Sequence, residues 1–395
     1  MNIRNYVFIN QLVLKFVGLY PINIIRYVIC ISCVMLIIIP QIINIYIHWN
    51  DLNIVMETGS TLLTISLATL KSVIWMFNRK NLEIFIEFML TDYWRIIEDN
   101  VFEYLKEYAI YAKTITKGYF ISMCNALLFF FSLPIIEILI IKHEDSDNLT
   151  MKNFPFVALY PIAFYKFPFY QIVYVSQILA TSICCLVILA TDGLIATALL
   201  HTCGHFAVLR KNLKQLDSYI DRIIDLKPNS KHISANLYEI KSQMIHIIKH
   251  HQVVLWFCDN MEKNFHLMLF LQAMTSSLLI CFVGFQVSAT LMEQSKMIKF
   301  ASHLIVALFQ LLLFCFPGDM LMQQSLSIST AAYAIQWFQL PSFVKDEICM
   351  IILRSQRPSY ITAGKLYIMH LENFTTILST AFSYFMMLQS FNSES

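Results

Sequence analysis

Glycine is scarce, with 8 residues in a chain of 395, which leaves little of the loop chemistry that cradles phosphates or presents a nucleophile. The sequence holds no His-Glu-x-x-His, no phosphate-binding glycine loop and no Gly-x-Ser-x-Gly elbow. An enzyme reading has no residues to stand on, and no cofactor is expected. Charge is equally thin: 14% of residues are charged against 57% hydrophobic and 14% aromatic, with a mean hydropathy of +0.61. Soluble domains do not have this composition. Basic residues are scattered through the loops at a net charge of +2, so no basic face for nucleic acid is expected. Residues 1–26 lack a compact apolar core with a small-residue cleavage site, so the first span is expected to serve as an uncleaved insertion signal. Of the ten cysteines, Cys30, Cys33, Cys124, Cys184, Cys185, Cys281 and Cys315 lie in apolar runs. Cys203, Cys258 and Cys349 fall in segments assigned below to the cytoplasm, which leaves none for an external disulfide framework. Cys30 and Cys33 read as small hydrophobes one helical turn apart.

What is present is a series of apolar windows long enough to cross about 30 Å of hydrocarbon. The spans predicted are 27–47, 58–77, 119–141, 172–200, 265–291, 300–316 and 370–391, giving an all-α polytopic membrane protein of seven transmembrane helices. With the N-terminus inside, the cytoplasmic segments hold 22 of the 28 Lys and Arg residues. The positive-inside rule therefore places the N-terminus in the cytoplasm and the C-terminus outside. Asn148-Leu149-Thr150 is a glycosylation acceptor in a loop that this topology makes external, so Asn148 is the expected glycan site. Lys71 and Glu137 lie near span ends, where both are expected to snorkel to the headgroups. Asp192 is deeper, about five turns into the fourth span, and suits either a polar contact between helices or a proton relay. Pro40 and Pro134 are expected to bend their helices and open space between spans.

Two stretches outside the spans are patterned as helices. In 201–264, Ile233, Leu237, Ile240, Met244, Ile247 and Val254 follow a heptad-like spacing, so a helix continuing into the cytoplasm is expected. Ile348 to Leu353 is too short to span and suits a second cytoplasmic helix. Segments 201–264 and 317–369 together are expected to form a helical anchor layer, either between subunits or packed on their own subunit. The chain is then one membrane domain, 1–395, with these extensions. His201-x-Cys203-x-His205 and His246, His250 and His251 have spacings a metal can use, but neither set is complete and no metal is expected.

The last span carries Thr376, Ser379, Thr380, Ser383, Met387, Ser390 and Phe391 along one line of a helix, with Phe374, Leu378, Ala381, Phe382 and Phe385 opposite. Such a hydroxyl seam suits close helix packing in a bilayer. It equally suits a water-filled pore closed by apolar side chains. The 31 Phe, 19 Tyr and 19 Met residues favour a pocket that holds small apolar molecules by shape and dispersion. Its expected lining is Thr64, Leu67, Phe130, Phe131, Tyr174, Gln177, Ile178, His303 and Val306.

Four motifs in order resemble the insect odorant receptor family. They are Pro168-Phe169-Tyr170 before Tyr174 and Gln177; His201-x-Cys203-Gly204; Phe314-Cys315-Phe316-Pro317-Gly318-Asp319 followed by Trp337; and Thr362-Ala363-Gly364-Lys365 followed by Glu372, Phe374, Ile377-Leu378 and Ser383-Tyr384-Phe385. The resemblance implies a ligand-gated, non-selective cation channel that detects small volatile molecules. It further implies a tetramer in the plasma membrane of a sensory-neuron dendrite, with the last span lining the pore. The chain resembles a tuning subunit, which pairs with a co-receptor in a hetero-tetramer. The family's pore-constricting positions fall on Met387 and Phe391, and Ser383, Thr380 and Thr376 continue the lining. Two rivals are a gustatory-type receptor, whose Gln-Phe ending is absent after Ser383-Tyr384, and a G-protein-coupled receptor, whose topology would be the reverse.

Overall fold

Two helices of 57 and 60 residues set the dimensions of the molecule. At about 1.5 Å per residue they run about 85–90 Å, far more than a bilayer core needs. Each therefore serves as a span and as a rod projecting beyond it. A computed structural model describes residues 4–91, 93, 102–144, 154–225, 230–340 and 342–394. Its helices are α1 (Arg4–Val17), α2 (Ile24–Ile47), α3 (Leu52–Phe77), α4 (Arg79–Leu90), α5 (Phe102–Glu144), α6 (Phe169–Asp225), α7 (Ser230–Ala289), α8 (Gln294–Tyr333), α9 (Ser342–Ser355) and α10 (Leu371–Glu394). A two-stranded hairpin, β1 (Thr362–Ala363) and β2 (Tyr367–Ile368), precedes α10.

Six of these helices, α2, α3 and α5 to α8, are long and apolar enough to cross a membrane. The seventh, α10, has the length but dilutes its apolar residues with hydroxyls. Local chemistry starts the first two. Asn23 caps α2 by accepting from Arg26 N at 3.2 Å, and Asp51 caps α3 by accepting from Asn53 N and Ile54 N at 3.0 and 3.3 Å. These caps satisfy donors that the first helical turn leaves open. The axis of the bundle is α6, whose most apolar stretch is 83% buried where that of α2 is 28%. Small residues let neighbours approach it. A Cβ added at Gly193 would meet Asn10 Oδ1 at 2.8 Å, so this glycine is what lets α1 lie against α6.

The ends of α5, α6, α7 and α8, together with α4 and α9, form a packed helical layer beyond the spans, which includes the segments expected to make the anchor. Segment 201–264 is the end of α6 and the start of α7, both helices running beyond their spans. Of the heptad positions, Ile240, Met244, Ile247 and Val254 are all buried on α7, and the side chains of Ile233 and Leu237 lie outside the described residues. Phe85, Tyr93 and Phe257 stack in the same core, with ring centroids 4.7 Å apart for Phe85 and Phe257 and 4.2 Å for Tyr93 and Phe257. The short helix α9 contributes buried Val344, Ile348 and Ile351.

Two elements were not expected. The first is α1, an amphipathic helix whose Leu14 and Val17 enter the main core. Its following turn is pinned by Trp75, which donates its ring N–H to Leu19 O at 3.2 Å. The second is α4, buried through Leu82, Phe85, Ile86 and Met89. All ten cysteines are free. Asn148 and the side chain of Glu137 lie outside the described residues.

Candidate ligand cavity and pore helix

Toward the end that the basic loops leave external, α3, α5, α6 and α8 part around a small apolar cavity of about 70 Å³. Helical spacing decides which side chains reach it: Thr61, Thr64 and Ile65 from α3, Met123, Ala126, Leu127 and Phe130 from α5, Thr181, Cys184 and Cys185 from α6, and His303 and Val306 from α8. Phe156 closes it from the external segment. Each threonine hydroxyl bonds a carbonyl of its own helix, Thr61 to Thr58, Thr64 to Ser60 and Thr181 to Gln177. Thr61 also accepts from Gln41 Nε2 at 2.9 Å, and Thr64 Oγ1 lies 3.5 Å from His303 Nε2. The wall is thus mostly hydrocarbon and aromatic, with few polar atoms left to orient a guest.

The lid over this cavity is a folded aromatic segment. Gln177 holds Phe156 by its backbone, accepting from Phe156 N at 3.1 Å and donating to Phe156 O at 3.2 Å. The same amide donates to the Tyr160 hydroxyl at 3.3 Å, and Tyr174 donates to Phe131 O at 2.5 Å. Phe130 and Phe156 stack with centroids 5.1 Å apart. On the outer side Lys299 pairs with Glu57 at 3.0 Å and sits 4.8 Å from the Phe130 ring centre.

Of the nine residues expected to line the pocket, Thr64, Phe130, His303 and Val306 stand on the cavity wall. Tyr174 and Gln177 form the layer behind it that carries the lid, and Ile178 packs against the aromatic cluster of Phe154, Tyr170, Val173 and Tyr174. Phe131 packs beside Phe156, and Leu67 is buried but does not line the cavity. Phe156 and the Cys184-Cys185 pair are wall residues outside the expected lining; the cysteines lie about two helical turns beyond Ile178 on α6.

The cytoplasmic histidines form a different kind of site. His205 Nδ1 and His250 Nε2 lie 3.0 Å apart, and the Tyr93 ring stacks on His205 at 3.8 Å. Burial, then the neighbouring His246 and His251, pushes His250 down to about 3, and burial then Arg354 pushes His251 down to about 4. His205 is held well below its usual range by burial and by His250 and His201. Among the described residues no three His, Cys, Asp or Glu side chains group as a metal site.

Lys71 overturns an expectation. It does not snorkel: it is buried beside Asp192 at 2.5 Å and donates to Gln272 Oε1 at 2.5 Å. With its ammonium buried, a carboxylate and an amide oxygen on the facing helices α6 and α7 are the lower-energy solution. Asp192 is the polar contact between helices, one of the two roles its depth allowed.

The final helix is set by the hairpin before it. Gly364 and Lys365 both have φ of +63°, and Leu366 N donates to Ala363 O at 3.1 Å, a tight turn that needs the left-handed region twice. Thr362 donates its backbone N–H to Glu262 Oε2 at 2.7 Å and its hydroxyl to Glu262 Oε1, and Gly364 N donates to His266 O at 2.8 Å. The Thr-Ala-Gly-Lys motif is therefore a clamp between α7 and α10. Beyond it α10 packs through Phe374, Ile377, Leu378, Ala381, Phe385 and Leu388, while Thr376, Ser379, Thr380, Ser383, Met387 and Ser390 are exposed. Phe382, expected on the packing side, is exposed as well, because it lies at the edge of that side where no neighbouring helix covers it. Thr376, Thr380 and Ser383 bond their own i−4 carbonyls at 2.9–3.1 Å. Thr376, Thr380, Tyr384 and Met387 also border an open groove of about 480 Å³ against Ser277, Cys281 and Phe282 of α7. The side chain of Phe391 lies outside the described residues.

The family model described as 7tm Odorant receptor matches residues 51–382. The chain belongs to the odorant receptor family. The receptor is 32% identical to Odorant receptor 13a of Drosophila melanogaster over 65% of its own length and 62% of the fly protein, so the match spans less than two thirds of that relative. It is 23% identical to Odorant receptor 10 of Aedes albopictus over 86% and 85% of the two chains, and 22% identical to Odorant receptor Or2 of Anopheles gambiae over 88% of each. Its fold is that of the insect olfactory receptor OR5 from Machilis hrabei solved in complex with eugenol, with a TM-score of 0.82, 14% identity and 98% of each chain covered. A second structure of OR5 gives a TM-score of 0.77 at 13% identity, covering 92% of this receptor and 88% of that chain. The receptor is an all-α, multi-pass membrane protein.

Proposed function

We propose that this receptor is the odorant-detecting subunit of a ligand-gated, non-selective cation channel, assembled as a hetero-tetramer with a co-receptor. The observation that carries the proposal is the orientation of α10. Its hydroxyl seam, from Thr376 to Ser390, is exposed along its length and borders the groove beside α7, while Ala381 is buried and Phe374, Ile377, Leu378, Phe385 and Leu388 are half-buried against the bundle. In a bilayer that face needs a polar environment, and a water-filled pathway between subunits provides one. Met387 is half exposed on the same face and is the constriction of this reading, with Phe391 one turn further out. The anchor layer formed by 201–264 and 317–369 holds the subunits together below the membrane.

The ligand site of this reading is the cavity between α3, α5, α6 and α8. Its apolar wall suits a small apolar volatile molecule, held by dispersion and shape. At about 70 Å³ it is smaller than ordinary ligand pockets. Binding therefore requires the walls to separate, and because the guest fits only the expanded arrangement, its affinity for that arrangement shifts the channel toward its open form. Moving the population from one per cent to ninety-nine per cent open takes about 5.5 kcal/mol.

Current recorded from cells expressing the receptor alone and with the co-receptor, with G-protein signalling blocked, tests the proposal. Eugenol, present in the solved OR5 complex, heads the odorant panel. A fast cation current that needs both subunits and survives the block is expected. A response that needs no partner and vanishes with the block would remove the channel reading.

A further inference from the structure

Directly beneath the cavity lies a buried polar cluster built from four helices. Lys71 of α3 donates to Asp192 Oδ1 of α6 and to Gln272 Oε1 of α7, both at 2.5 Å. Gln310 of α8 donates to Asp192 Oδ2 at 2.7 Å and to Gln272 Oε1 at 3.1 Å. Gln272 passes its own N–H to Ser276 Oγ at 2.8 Å, and Thr191 donates to Asp192 Oδ1 at 3.2 Å. All of these side chains are buried, and the ion pair is 1% and 0% exposed. A charge pair this deep is costly to dehydrate, and hydrophobic residues of similar volume would often serve stability as well or better. Its fourfold hydrogen bonding fixes one relative position of four helices.

The cluster connects two places that the proposed function needs connected. Thr64 precedes Lys71, and Cys185 precedes Asp192, by two helical turns, about 10 Å; Val306 precedes Gln310 by about one turn. Three walls of the cavity thus run directly into the cluster. The fourth member, Gln272, lies on α7 beside Ala273, which borders the groove that also holds Thr376, Thr380 and Met387 of α10. Further along the same pair of helices Phe385 packs over Gly284. The cavity itself contributes no residue from α7, so this cluster is a route by which displacement of its walls reaches the helix that carries α10.

We infer that Lys71, Asp192, Gln272 and Gln310 form a latch that holds the cavity contracted and α10 in its closed position, and that a ligand opens the channel by forcing it apart. This inference rests on the channel reading above for its second half only. The sign follows from geometry: the latch is intact in the arrangement whose cavity is too small for a guest. Any bond confined to that arrangement favours it over the expanded one. Gln310 is the residue to change, because Gln310→Leu removes two of the latch bonds and leaves the ion pair in place, whereas Lys71→Met strands a buried carboxylate.

The test uses the full-length receptor co-expressed with the co-receptor, comparing wild type and Gln310→Leu at matched surface level. Two quantities are read without odorant: the rate at which N-ethylmaleimide labels Cys184 and Cys185 on the cavity wall, and the resting cation current per surface copy. The latch predicts that both rise by about threefold to tenfold. A purely structural role would lower current per copy. Unchanged labelling overturns the latch. Faster labelling with an unchanged but measurable current overturns its link to α10. Faster labelling with no current from either protein, with or without eugenol, leaves the latch on the cavity standing and counts against the channel reading instead.

Discussion

The Gln177 side chain carries three hydrogen bonds, two of them to the backbone N–H and C=O of a single residue, Phe156, and so ties the lid to α6. Gln177→Leu leaves that backbone N–H and C=O without partners in an apolar setting. We expect it to destabilise the purified receptor by about 1–3 kcal/mol, seen as a lower unfolding midpoint; an unchanged midpoint would mean that the segment is held by its aromatic contacts alone. Gln177 was visible in the sequence as a pocket candidate because it lies one turn from Tyr174 on a helix face. Its actual task was not visible, since its partners are backbone atoms of a loop twenty-one residues earlier. Lys71 illustrates the same limit. Position near a span end favoured the headgroups, and only the fold could show Asp192, 121 residues later, on the facing helix. Gly364 and Lys365 give a further residue-scale test, because both stand at φ +63° and only one is a glycine. A Cβ at 364 would also meet Phe270 at 2.8 Å. Gly364→Ala should therefore cost about 1–2 kcal/mol or more, whereas Lys365→Gly should be neutral or stabilising. Equal losses for the two would show that the turn conformation is not what the clamp requires.

Among elements, the long helices were the most legible, because apolar windows and cytoplasmic charge mark a span whatever its neighbours do. All seven predicted spans fall on helices of the structure, that of α7 overrunning its end by two residues and that of α10 starting one residue early. The extents were less legible, although Pro228-Asn229-Ser230 does mark the break between α6 and α7, and the heptad spacing starts only after it. The helix α1 was missed because its apolar side is short and its burial depends on Gly193 of α6. The cytoplasmic ends of α6 and α7 also carry a pH dependence. His205, His250 and His251 are buried and held below their unfolded value of about 6.5. Above that value neither state is protonated, and the histidines leave stability untouched. As pH falls below it the unfolded chain binds protons first, so stability is lost down to about 4 for His251 and about 3 for His250. Each histidine adds a slope of up to about 1.4 kcal/mol per pH unit in that window. Unfolding midpoints measured between pH 7.5 and 4.5 should fall on the acid side, less steeply in His250→Gln; a flat profile would show these rings to be protonated or solvated in the fold.

At the scale of the whole molecule, ligand cavity, latch, clamp and final helix lie in series along α7 and its neighbours. The cavity is near the external face, the ion pair lies one to two turns below, and the Thr362–Glu262 contact sits where α10 begins. The hydroxyl seam of α10 could be read from its 3.6-residue period, but which way it faces could not, because periodicity gives a face and not a neighbour. In the structure that face is the one its own subunit leaves uncovered. The channel reading, and with it the link from the latch to α10, depends on water and ions running along it. The decisive measurement is the reversal potential and calcium-to-sodium permeability ratio of the odorant-evoked current in receptors carrying Met387→Glu, co-expressed with the unaltered co-receptor. A carboxylate at the constriction should raise relative calcium permeability and shift the reversal potential at equal surface expression. Wild-type values for both, with undiminished current, would take Met387 and the face it marks out of the ion pathway.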